Sequence, residues 1–156
     1  MLNEMERQNR QLTQQWLRLL DGSLEMGEII ELPVLSDSML PVMGIGLNIR
    51  IQRNHWNACS TGDIIVFREQ QKLTAHRLLF SLRIGSKCYF FQKGDSNPCG
   101  HFIRAERVVG RVLGCQNKNG SYVSLASRTA RSRARVEALR QVLRALWGYA
   151  SRLIGR

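Results

Sequence analysis

Acidic residues are scarce in this chain. Twelve Asp and Glu stand against 23 Lys and Arg in 156 residues, leaving a formal net charge of +11. Such a balance favours contact with nucleic acid, an anionic lipid surface or an acidic partner. Long hydrophobic runs are missing too, and no stretch reaches the roughly 20 apolar residues of a membrane-spanning helix. The opening MLNEMERQNRQLTQQWLRLL is polar and lacks the apolar core of a signal peptide. The protein is therefore expected to remain where it is made, in the cytoplasm or peripherally on the inner membrane face. The four cysteines, Cys59, Cys88, Cys99 and Cys115, form no Cys-x-x-Cys pair and no zinc-like spacing with histidine. They read as scattered reduced thiols, with two disulfides as the alternative for an exported domain. There is no internal repeat and no low-complexity tract.

A 44% apolar content is enough for the core of one ordinary domain. Residues 4–20 read as a helix, with Leu12, Trp16, Leu19 and Leu20 at helical spacing and Asp21-Gly22-Ser23 as the stop. From residue 28 short strands take over, at 28–35, 47–53, 63–68, 72–82, 87–93, 106–115 and 122–125. Gly85-Ser86, Gly94–Pro98 and Asn117–Gly120 punctuate them. Residues 128–154 return to helical spacing. Val136, Leu139, Val142, Leu143, Leu146, Tyr149 and Leu153 form an apolar stripe, and arginines surround a single acid, Glu137. The expected fold is mainly β, an antiparallel sheet or barrel. It has a helical segment at 1–27, a β domain at 28–125 and an Arg-rich amphipathic helix at 126–156.

Three segments carry chemistry. Ser38, in SDSMLP, follows a strand and precedes a turn, where a hydroxyl can be presented at a cleft edge; it needs a base to become a nucleophile. His76, in AHRLL, lies within a strand, and its ordinary pKa near 6.5 suits general-base work. KGDSN, at 93–97, closes a strand with turn-forming residues. Each alone has a bland explanation as a turn or a core histidine.

In this order, SDSMLP, GDIIVF, AHRLL and KGDSN make the chain from Ser38 to about Gly114 resemble the type I signal peptidase family. The branch in question is the one found in archaea and the endoplasmic reticulum. Its pattern is S-x-S-M-x-P, G-D-I-V-x-F/Y, a short H-R motif and K-G-D-x-N.

The resemblance implies a peptide-bond hydrolase with a signal-peptidase-like antiparallel β fold. Ser38 is then the nucleophile, and His76 is the base that ordinary bacterial members replace with lysine; Lys72 falls outside the H-R motif. The Ser38 N–H and the Ser36 hydroxyl would hold the oxyanion, and Met39 would line the substrate pocket. Of the four aspartates, Asp21 lies in a helix stop, Asp37 points off the nucleophile turn and Asp63 fixes a turn. Asp95 is left to orient His76. Relatives carry a further aspartate just beyond K-G-D-x-N, whereas this chain has Pro98-Cys99-Gly100-His101-Phe102. A Ser–His dyad, a weak enzyme and an inactive one all remain open.

No metal or organic cofactor is required. The expected substrate is a protein or precursor peptide, extended along a strand, with small side chains before the cut. The family has a membrane anchor near its amino end. Here residues 128–156 are the candidate substitute, lying on anionic lipid. The alternative is that this helix packs its stripe on the domain. Nucleic acid is less favoured, because only Trp147 and Tyr149 offer stacking surfaces. Two other functions compete. One is a self-cleaving regulator, for which 27 amino-terminal residues are too few to form a helix-turn-helix domain. The other is a non-catalytic binding module.

Overall fold

Alternation along the β segments builds two apolar surfaces, one on each face of a single sheet. A computed structural model describes residues 11, 14–16, 25–70, 72–117 and 119–154, with backbone alone over 145–154. The strands are β1 (Ile29–Pro33), β2 (Asn48–Arg53), β3 (Ile64–Glu69), β4 (Lys72–Ile84), β5 (Lys87–Lys93), β6 (His101–Arg104), β7 (Val108–Gln116) and β8 (Tyr122–Ser124). All pairings are antiparallel, in the order β1-β2-β7-β3-β4-β5-β6, with β8 added to β7. The mainly β expectation therefore holds. The proposed helix at 4–20 falls largely outside the described residues; Gln11 and residues 14–16 are helical.

β3 shows how the sheet is held. Ile64 and Val66 enter one core with Leu32, Met39, Met43, Ile49, Ile51 and Val112. Ile65 and Phe67 enter the other, with Leu78, Phe90, Ile103 and Val108. Both faces of β3 are thus covered, which explains an unbroken apolar run where a half-exposed strand would alternate. Burying each of these side chains contributes roughly 1.5–3 kcal/mol. The loop between β1 and β2 folds over the first core and places Met39 and Met43 in it. All four cysteines are free thiols, and burial pushes Cys59 up to about 11.

The C-terminal helix (Arg128–Ile154) docks by a different face from the one its apolar stripe suggests. Ala138 and Gln141 are buried, while Val136, Leu139 and Leu143 are more than half exposed. The reason is close approach at Gly62, which has a φ of +94°. A Cβ there would lie 2.8 Å from the backbone of Ala134 and Arg135. Small residues on the helix and none on the turn allow the two backbones to touch. Gln141 then reaches Asp95 and Lys93.

Candidate active site

Ser38 lies in the turn that follows β1, half-buried, with its Oγ 3.2 Å from the Ser36 Oγ. Asp37 ties the loop back on itself by accepting from the Ile45 N–H. Among the described residues the Ser38 N–H has no hydrogen-bond acceptor, so it is available to an incoming oxyanion. Met39 is buried and, with Ser36, lines an apolar groove of about 80 Å³. Trp16, Leu32, Val66, Leu73 and Ala75 complete its wall. The groove runs along β1, an outer strand paired only to β2 among the described residues.

The KGDSN turn is bound to the serine loop. Ser96 donates its N–H to the Ser38 carbonyl (3.0 Å) and its hydroxyl to the Asp37 carbonyl (2.7 Å). Gly94 lies so close that a Cβ on it would meet the Ser38 carbonyl oxygen at 2.6 Å. In the β4–β5 ladder Lys93 faces Arg77. The main chain of Ser38 thus packs on Gly94, just beyond the end of β5.

His76 is 7% exposed. Alternation along β4 turns it to the second core, where its ring meets Phe67 edge-on at 5.9 Å. Ala75 and Arg77 point to the opposite face. The His76 Nδ1 is hydrogen-bonded to the Gln92 Oε1. With the amide oxygen turned to the ring, Nδ1 carries the proton and Nε2 is left as an acceptor, with no hydrogen-bond partner among the described residues. No hydrogen bond joins Ser38 to His76; each hydroxyl or ring is held by its own neighbour. Burial, the dominant cause, lowers the His76 pKa below the ordinary imidazole value, and the bond to Gln92 partly opposes this.

Asp95 does not orient His76. It accepts from Arg77 Nε at 2.8 Å and Nη2 at 2.6 Å, and from Gln141 Nε2 at 2.8 Å. The physical reason is strand parity: Arg77, not its neighbour, points toward the turn that carries Asp95. Arg77 also donates to the Gly62 carbonyl, so one buried ion pair joins the KGDSN turn, the GDIIVF turn and the C-terminal helix. Asp63 accepts from the Ser60 N–H and closes its own turn.

The orienting partner of His76 is Gln92, which the sequence reading passed over. A signal was present: Cys88, Phe90 and Gln92 share the buried phase of β5, and an amide in that phase needs partners. Gln92 is fully buried, and its Nε2 lies 2.8 Å from the His101 Nε2. His101 stands in β6, a strand not expected from the sequence, and its Nε2 is also 3.1 Å from the Glu69 Oε1. Among the described residues no group of His, Cys, Asp and Glu could hold a metal ion, and no helix is long and apolar enough to cross a membrane. No protein-family model matches the chain, and no curated protein matches it either.

Proposed function

We propose that the protein is a serine endopeptidase of the signal-peptidase type, cleaving a protein or precursor peptide through Ser38 and His76. The observation that carries this reading is the packing of the KGDSN turn on the main chain of Ser38, through Gly94 and Ser96. It brings SDSMLP and KGDSN, more than fifty positions apart in sequence, together at one end of β5. The groove beside Ser36 and Met39, next to an outer strand, suits an extended peptide that pairs its main chain with β1 and buries an apolar or small side chain. Ala75 lines the groove while His76 faces the second core, so the reaction requires the serine loop to move toward the imidazole when substrate binds. In the reaction Ser38 Oγ attacks the carbonyl carbon while His76 Nε2 takes its proton. The Ser38 N–H and the Ser36 hydroxyl receive the oxyanion. The protonated imidazole then gives its proton to the leaving amine, and water repeats the cycle on the acyl-enzyme.

A serine-directed phosphonylating probe tests this directly. It should label Ser38 in the intact chain and leave Ser38→Ala unlabelled; a wild-type chain that stays unlabelled at every pH sinks the reading. The labelling rate should rise with pH as His76 loses its proton. Because burial lowers that pKa, the rising limb belongs below about 6.5. A rise confined to pH values above about 8 points to a lysine such as Lys72 as the base.

Gly94→Ala should slow labelling by about 10²-fold, the effect expected of an ångström-scale displacement of the reacting group. The added methyl cannot coexist with the Ser38 carbonyl at 2.6 Å. Unchanged labelling in a folded Gly94→Ala chain would disconnect the turn from the site.

The exposed stripe on the C-terminal helix favours lipid as the surface on which the peptidase works. Val136, Leu139 and Leu143 face outward beside Arg140 and Arg144, leaving an apolar stripe edged with cations. Replacing the three by serine should reduce binding to phosphatidylglycerol vesicles by about tenfold or more without disturbing Gln141. Equal binding of both forms removes the helix as an anchor.

A further inference from the structure

The buried amide of Gln92 sits between two imidazoles and can satisfy them in only one way at a time. Its Oε1 faces His76 Nδ1 and its Nε2 faces His101 Nε2. Oε1 accepts only, so His76 must carry its proton on Nδ1. The amide nitrogen donates only, so His101 Nε2 must be bare. That same His101 nitrogen lies 3.1 Å from the Glu69 carboxylate, which accepts only. One ring nitrogen cannot take a proton from Gln92 and give one to Glu69 at once. Its protonation therefore decides which of the two it engages.

We propose that Gln92 is a positioning residue that fixes the tautomer of His76, and that His101 with Glu69 sets which way the Gln92 amide points. This inference rests on His76 being the base of the proposed reaction. With His101 Nε2 bare, Gln92 presents oxygen to His76 and leaves Nε2 of His76 free to take the serine proton. With a proton on His101 Nε2, Glu69 becomes its partner and two N–H groups face one another across 2.8 Å. Rotating the amide by half a turn relieves this, since its oxygen then shares the His101 N–H with Glu69. The amide nitrogen now faces His76 Nδ1, which must become an acceptor. The proton of His76 moves to Nε2, and the base is lost while the ring remains neutral.

Every element around the two rings contributes to this arrangement. Glu69 comes from β3, Gln92 from β5 and His101 from β6. Phe67 of β3 packs on the His76 ring, and Asp95, beyond β5, acts on it only through space. Thr74 Oγ1 donates to the other Glu69 oxygen at 3.2 Å and holds the carboxylate in place. The His101 side chain is about half exposed (51%), so the solvent can exchange protons with the outer end of a chain whose inner end is buried.

Long-range proton–nitrogen correlation spectra of the ¹⁵N-labelled full chain read the tautomer without any substrate. The wild-type spectrum should show His76 protonated at Nδ1. Gln92→Leu should release it toward the Nε2–H form, and Gln92→Glu, which supplies an acceptor with no need of orientation, should restore Nδ1–H. His101→Lys places a donor-only group on an exposed site. It should drive His76 to Nε2–H and slow Ser38 labelling by about 10²-fold or more, as wrong-tautomer variants of serine hydrolases do.

A wild-type His76 protonated at Nε2 overturns the proposal, as does a tautomer indifferent to both Gln92→Leu and His101→Lys. Should Gln92→Leu fail to fold, His101→Lys decides alone. If the tautomers follow this pattern and Ser38 is never labelled, the positioning chain stands and the peptidase reading falls.

Discussion

Asp95→Ala is expected to destabilise the domain by about 3–5 kcal/mol, the usual cost of leaving one partner of a buried ion pair alone. Arg77 and Asp95 have side chains only 5% and 6% exposed. Without the carboxylate, Arg77 keeps the Gly62 carbonyl as its one remaining partner among the described residues, and a carbonyl cannot neutralise a buried guanidinium. Gln141 also loses its shortest acceptor, keeping only Glu137 on its own helix and the longer contact from Lys93 among the described residues. Against a typical total of about 5–15 kcal/mol, the change should appear as a large fall in the urea midpoint. Asp95→Asn retains a hydrogen-bonding group of the same size and should lose less. An aspartate that served His76 would behave differently. Its removal would alter the pH dependence of Ser38 labelling and leave the urea midpoint nearly unchanged. That outcome would restore Asp95 to the catalytic group and contradict the ion-pair assignment.

The positions of β2, β3, β4, β5 and β7 were legible because apolar patterning and turn residues are local properties. Each strand announces which side chains it will bury, and DIIVFR announces that both faces are covered. β6 was not legible. His101-Phe102-Ile103-Arg104 is short, and its one strand partner among the described residues is β5, so its existence depends on pairing with a neighbouring strand and not on its own pattern. The helix face was misjudged for a related reason. Periodicity finds the apolar stripe of residues 136–153, but docking was decided by backbone approach at Gly62 and by polar partners for Gln141. A hydrophobicity pattern contains neither.

The site divides along the same line. Ser36, Ser38 and Met39 are adjacent in sequence, and the structure keeps them on one loop beside one groove. Asp95 was chosen by eliminating other aspartates, an argument that takes no account of strand parity. His76 and Arg77 are neighbours whose side chains leave opposite faces of β4. A carboxylate that reaches one is therefore directed away from the other. Gln92 supplies what the carboxylate was expected to supply, an acceptor at Nδ1, without the negative charge. A neutral acceptor stabilises a developing imidazolium less than a carboxylate does. A dyad supported by an amide is therefore expected to be a slower catalyst than a full triad.

Ser38→Ala and His76→Ala should each lower kcat for an extended peptide with small residues before the cut by about 10⁴-fold or more, with KM nearly unchanged. The double variant should be no slower than either single one. The nucleophile and its base act as a unit: a serine without the imidazole cannot give up its proton, and an imidazole without the serine has nothing to activate. Removing the second member of a disabled pair therefore costs almost nothing, so the losses should fail to multiply. The folded state gives this test weight, because Ser38 and His76 lie on different elements and share no hydrogen bond at rest. Were they independent structural residues, their effects on kcat would be small and would multiply. Circular dichroism of the three variants separates folding from chemistry. His76→Ala opens a void beside Phe67, so His76→Gln, which nearly fills it, provides the comparison. Full activity in either folded single variant would remove the proposed pair from the mechanism and leave the groove as a binding site alone.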